Sequence, residues 1–137
     1  MRRLALALVA ALQAGPAAAW LDIRIDLSDQ RMTVLQDGAV LHAWPVSTAR
    51  PGKVTPTGLF VPQTLVRDHR SSLYDGAPMP WSIFFSGNYA IHGTTQTDRL
   101  GTPASAGCIR LYPSHARLLF ELVRDEGLDN VLIEIRR

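Results

Sequence analysis

Cys108 is the only cysteine in the chain. It sits in Ser105-Ala106-Gly107-Cys108-Ile109-Arg110, and fifteen residues separate it from His92, which closes the apolar run 89–91. A thiol attacks as its thiolate, so it needs a base or a cation nearby to be useful near neutral pH. His92 is the residue type that can take and return that proton. The small side chains of Ala106 and Gly107 leave the backbone open to an incoming carbonyl. The amides of Gly107 and Cys108 are then placed to hydrogen-bond the oxyanion that attack would create. Arg110 offers forked donors for a carboxylate, or else serves a structural ion pair. Ser105 either bonds across the turn or helps to place the imidazole. Asp98 or a backbone carbonyl could fix the histidine tautomer. A lone cysteine is more often a small buried hydrophobe, but the small residues before it and the charge after it suit a turn better than a sealed core. His92, Cys108 and the other histidines lack metal-ligand spacing, so no metal site is expected. His42, His69 and His115 are expected at the surface.

The elements that must position these groups are mostly strands. Residues 21–27 alternate apolar and charged side chains, the pattern of a strand with one wet face. Residues 32–35 and 40–47 continue as strands, joined by the hairpin signal Asp37-Gly38. Pro45 lacks a backbone donor and predicts an edge or a bulge. Thr55-Pro56-Thr57-Gly58 forms a turn before a strand at 59–61. Residues 62–80 have no clear period, and charges cluster at Arg67-Asp68-His69-Arg70. Such a stretch reads as a mobile flap over the site or as disorder. Residues 81–85 and 89–92 predict a hairpin around Ser86-Gly87-Asn88, delivering His92 at the rim of a sheet. One late helix is expected, capped by Ser114, with Leu118, Leu119, Leu122 and Val123 inward and Gly127 as its stop. Residues 131–135 end the pattern as a buried strand. The fold class is therefore mainly β with one late α-helix, in one domain over residues 20–137.

The beginning of the chain has the form of a cleaved export signal over residues 1–19. Arg2 and Arg3 precede an apolar core, residues 4–12, and Ala17-Ala18-Ala19 offers a small-residue cleavage site before Trp20. Gln13, Gly15 and Pro16 interrupt the apolar run well short of the length a membrane span needs. No stable membrane insertion is expected after cleavage. Removal of Arg2 and Arg3 leaves twelve basic and twelve acidic residues, which argues against nucleic acid or an anionic membrane as a charge-driven partner. An exported chain normally pairs its structural cysteines. Cys108 has no partner within this chain, so it is a candidate for reactivity.

His92-Gly93-Thr94, followed by Leu100-Gly101-Thr102-Pro103-Ala104-Ser105-Ala106-Gly107-Cys108-Ile109-Arg110-Leu111, resembles the signature of the YkuD-type L,D-transpeptidases. Their pattern is an HG pair and, after a loop, S-x-G-C-[IV]-R. Val46-Ser47-Thr48 with Thr55-Pro56-Thr57-Gly58-Leu59-Phe60 is similar to the family's segment ahead of its flap. The resemblance runs from Leu21 to Ile135. Ala106 stands where many members have histidine, at a position that varies in the family. The resemblance implies a YkuD-like β-sandwich of mixed sheets. It implies Cys108 as nucleophile, His92 as proton donor and acceptor, and Gly107, Gly93 and Ser105 as oxyanion or orienting residues. Arg110 would bind substrate. The implied partners are peptidoglycan stem peptides, as donor and acceptor, and a wall-anchored protein in some members. The implied place is the periplasm or cell envelope. The implied product is a 3-3 crosslink or a protein attachment, made through a Cys108 thioester. Water as acceptor would give an L,D-carboxypeptidase. A wall-binding module without catalysis, and a redox protein acting through Cys108, are the readings from other classes; the second lacks a resolving cysteine in this chain.

Overall fold

A computed structural model describes residues 20–137. The expected export signal, residues 1–19, lies outside the described residues. Among the described residues no helix is long and apolar enough to cross a membrane.

Among the described residues nine strands form two mixed sheets. In chain order they are β1 (Leu21–Asp26), β2 (Arg31–Gln36), β3 (Ala39–Pro45), β4 (Gly58–Phe60), β5 (Thr64–Arg70), β6 (Pro78–Ser86), β7 (Tyr89–Gly93), β8 (Ile109–Leu111) and β9 (Val131–Arg136). Among the described residues one α-helix, α1 (Pro113–Glu126), lies between β8 and β9. The first sheet has the order β3-β2-β1-β9-β4 and the second β5-β6-β7-β8. One cluster of buried side chains draws on both sheets and the helix.

The alternation in β1 has its expected outcome: Leu21, Ile23 and Ile25 are fully buried, while Asp22, Arg24 and Asp26 face outward. Its parallel partner β9 matches it face for face, with Ile23 opposite Ile133 and Ile25 opposite Ile135. Fully burying such a side chain stabilises the fold by roughly 1.5–3 kcal/mol, so these two strands form the centre of the first sheet. Asp37 and Gly38 both have positive φ, 49° and 85°, as the tight turn between β2 and β3 demands. Pro45 lies on the edge strand β3, where its missing donor costs no ladder bond.

Two expectations need correction. Residues 62–80 are neither disordered nor irregular throughout. β5 pairs antiparallel with β6, from Thr64 opposite Phe84 to Arg70 opposite Pro78, and only 71–77 form a connecting loop. The periodicity is hidden because β5 is an edge strand with no fully buried side chain, and because Trp81 interrupts β6 with φ 57°. Arg67 and Arg117 pack their guanidinium carbons over the Trp81 ring at 4.9 and 5.4 Å. Ser114 does not cap α1: the helix starts with Pro113 in its first turn and Tyr112 as N-cap, with no side-chain cap bond. Proline fits that position because its missing N–H would be unbonded anyway. The inward residues are Ala116, Leu119, Phe120 and Val123, while Leu118 is exposed and Leu122 only packs against the core. Gly127 ends the helix as expected.

Candidate active site

β7 and β8 run parallel, with Ile91 opposite Ile109, His92 opposite Arg110 and Gly93 opposite Leu111. Successive side chains of a strand alternate faces. Ile91, Ile109 and Leu111 fill the core, so His92 and Arg110 share the other face. Cys108, two residues before Arg110, falls on that same side. The sequence spacing thus becomes a shared wall. Cys108, His92 and Arg110 line one open cavity of about 640 Å³, together with Ser105 and Ala106. The loop 71–77 contributes Ser71, Leu73, Tyr74 and Ala77 to the wall of the same cavity.

His92 is almost completely buried, and its Nδ1 lies 2.7 Å from the carbonyl oxygen of Gly93. Nδ1–H donates to that oxygen, which leaves Nε2 as the free base. A backbone carbonyl, not Asp98, therefore fixes the tautomer; Asp98 is exposed on the 3-10 turn Thr97–Arg99. Gly93 has little room for a side chain: an added Cβ would stand 3.3 Å from both Pro113 Cα and Pro80 Cγ. Burial lowers the His92 pKa to about 4, against the raising effect of the Gly93 carbonyl, and the Arg110 and His69 charges lower it further.

Cys108 is half-buried, and its Sγ lies 3.7 Å from the carbonyl oxygen of Asn88. Burial raises the thiol pKa, and a backbone hydrogen bond at Ala90 and the charge of Arg110 offset this only in part. No hydrogen bond joins Cys108 to His92 among the described residues. Burial thus disfavours the charged form of both groups, the thiolate and the imidazolium.

The turn before the thiol is held from several sides. Ser105 Oγ donates to the Cys108 carbonyl at 2.6 Å and accepts the Gly107 amide at 3.0 Å. The Gly107 amide is thus engaged by Ser105, a correction to its expected oxyanion role. No bond within the turn engages the Cys108 amide, which remains available as an oxyanion donor. Thr55 Oγ1 donates to the Gly107 carbonyl at 2.8 Å and accepts the Ala49 amide. The Ser105 amide donates to the Thr48 carbonyl, and the Arg50 amide to the Ser105 carbonyl. The buried Gln30 in turn grips Thr48, through its amide and its hydroxyl. Thr55 and Gln30 are positioning residues that single-site reasoning missed. Thr55 was visible only as part of the Thr-Pro-Thr-Gly segment; Gln30 carried no signal.

Gly107 has φ +140°, and an added Cβ would approach Tyr89 Cε1 to 2.7 Å and the Val54 carbonyl oxygen to 2.8 Å. Both backbone and space exclude a side chain. Gly107→Ala should therefore cost about 1–3 kcal/mol and lower the melting temperature by several degrees, with thiol reactivity altered in step. A melting curve that superposes on the parent's would remove this account of the turn.

Arg110 donates through Nη1 to Gln96 Oε1 at 3.0 Å, and no carboxylate pairs with it among the described residues. Burial and the neighbouring Arg50 charge disfavour its charged form, while Cys108 favours it. The other histidines are not free surface groups. His42 and His115 stack on opposite sides of Trp44 at 4.8 and 4.7 Å, and His69 stands edge-on to Phe84. No group of three or more His, Cys, Asp or Glu suited to a metal occurs among the described residues.

The family model of the L,D-transpeptidase catalytic domain, YkuD, matches residues 22–133. The chain belongs to this family. Among solved structures, an L,D-transpeptidase from Mycobacterium smegmatis superposes with TM-score 0.77 at 22% identity, covering 87% of this chain and 59% of that one. The LD transpeptidase LdtMt1, in complex with imipenem, gives 0.77 at 23% identity, covering 86% and 59%. An L,D-transpeptidase from Stackebrandtia nassauensis gives 0.75 at 25% identity, covering 88% and 57%. These likenesses establish the fold, the expected YkuD-like sandwich of mixed sheets. The chain spans less than two thirds of each of those solved chains. Comparison with curated proteins gives no match. Within the L,D-transpeptidase domain, the His-Gly pair and the Ser-x-Gly-Cys-Ile-Arg segment of the signature are the strands β7 and β8 and the turn between them and the cavity.

Proposed function

We propose that this L,D-transpeptidase domain is an exported cysteine acyltransferase acting on peptidoglycan stem tetrapeptides. Its export signal would be residues 1–19 and its place of action the periplasm or cell envelope. The observation that carries the reading is the convergence of Cys108, His92 and Arg110 on one open cavity, with Nε2 of His92 left free.

The reaction follows from those groups. Arg110 holds a stem-peptide carboxylate beside the thiol, and the scissile carbonyl of the donor lies over Sγ. Burial disfavours the charged forms of thiol and imidazole, so the proton moves from Sγ to Nε2 as the substrate docks and the carbonyl is attacked. The Cys108 amide stabilises the oxyanion. The amide bond to the terminal D-alanine breaks, and His92 returns the proton to the departing amine. A thioester remains on Cys108. An amine of a second stem peptide, or of a wall-bound protein, then attacks that thioester. His92 accepts the proton from the attacking amine and delivers it to the sulfur as the C–S bond breaks. No metal or organic cofactor enters this sequence. Water in place of the amine gives the L,D-carboxypeptidase outcome.

Mass spectrometry of products from a purified disaccharide tetrapeptide tests this. Crosslinked dimer is the expected product. Free tripeptide alone would identify the carboxypeptidase. Untouched donor, with binding to sacculi retained, would mean a wall-binding module and overturn the proposal.

A further inference from the structure

The cleft does not end at Arg110. It continues into a second hollow of about 480 Å³, lined by Arg50, Gln96, Arg99, Pro103, Ala104 and Arg110. Arg50, Gln96 and Arg110 also line the cavity that holds the thiol, so the two spaces share a wall. Three arginines therefore meet around one hollow beside the nucleophile. None of the three forms an ion pair among the described residues; the ion pairs there involve Arg24, Arg117, Arg124 and Arg136. The one side-chain hydrogen bond of Arg110 goes to Gln96, a neutral acceptor, and leaves most of its five donors open. The backbone of Arg50 is tied to Ser105, in the turn that carries the thiol, so its side chain is referenced to the reacting sulfur. Like charges held together without a counter-ion repel, and a bound anion relieves that repulsion. Guanidinium groups match carboxylates with paired hydrogen bonds.

We propose that the hollow formed by Arg50, Arg99 and Arg110 is an anion subsite that takes a free carboxylate of a stem peptide, and so selects the carboxylate over the carboxamide form. This rests on the peptidoglycan reading above and extends it from Arg110 to two residues outside the Ser-x-Gly-Cys-Ile-Arg segment. The carboxylate belongs to the donor or to the acceptor peptide, and the test separates them.

Calorimetry on the Cys108→Ala chain would use the tetrapeptide L-alanyl-γ-D-glutamyl-diaminopimelyl-D-alanine and its analogue with carboxamides in place of carboxylates. The carboxylate form should bind about tenfold more tightly, and the difference should shrink in high salt. Adding Arg50→Gln and Arg99→Gln should bring the two affinities to within a factor of about two. Both side chains are exposed, so these variants should melt with the parent. With the active chain, amidating the donor alone or the acceptor alone tells whose carboxylate is held. Equal affinities for the two forms, or a preference that survives both substitutions, would overturn the subsite. A preference without any D-alanine release would leave the subsite standing and sink the acyltransferase. Turnover without a preference would do the reverse.

Discussion

Cys108→Ala is expected to abolish D-alanine release, lowering the rate roughly a thousandfold or more, with the fold retained. The fold should survive because Cys108 is half-buried on a turn and does not belong to the core cluster, so only one sulfur atom's contacts are lost. Its melting temperature should stay within a few degrees of the parent's. A companion measurement probes the resting thiol. Burial raises its pKa, so alkylation by iodoacetamide should climb steadily into the alkaline range. A flat plateau between pH 5 and 7 would mean a preformed thiolate and would remove the docking-coupled proton transfer argued above. Full activity in the alanine variant would remove the nucleophile itself.

His92→Gln should lower the turnover number by roughly 10²–10⁴-fold, the usual worth of a positioned general base. It also carries a stability signature. The His92 pKa falls from 6.5 to about 4 on folding. Between these values the unfolded chain binds a proton that the folded chain refuses, so stability rises with pH across that window. Taking the pH down from about 6.5 to about 4 should therefore cost about 3 kcal/mol, or roughly 10 °C in melting temperature. Below pH 4 the folded histidine protonates too, and the loss levels off. His115, lowered by burial and by His42, adds a smaller effect of the same sign. Asp26 is lowered from 3.8, so its contribution is lost only at more acid pH. His92→Gln should remove most of the slope while His115 keeps a remainder. A slope unchanged by the substitution would show that His92 is not the buried neutral base described.

What could be read from residues alone was whatever local chemistry decides. The β1–β2–β3 meander followed from strict alternation and from Asp37-Gly38. The pairing of His92 with Cys108 followed from their residue types, but β8 and the face that Arg110 shares with His92 did not, because a three-residue strand is too short to show a period. The β5–β6 pair did not, because a positive-φ tryptophan interrupts one strand and an edge position leaves the other without a buried face. The N-terminus of α1 was misplaced because a serine was weighed above the proline before it. The support of the thiol turn was also hidden. Gln30, Thr48 and Thr55 reach Ser105 and Gly107 across large gaps in sequence, and single polar residues in loops carry no periodic mark. The burial of His92 could not be foreseen either, since it depends on what packs over the imidazole.

The pairing of β1 with β9 has a consequence for biogenesis. A chain emerges from the ribosome, or from a translocation channel, with its leading end first. β1 must wait for the last strand before its second edge is satisfied, and β4 has no neighbour at all until then. Closure of this sheet therefore waits until β9 has been made, and contacts so distant along the chain form slowly. Until β9 arrives, the edges of β1 and β4 stay open to chaperones or to aggregation, and loss of β9 would leave the first sheet in two pieces.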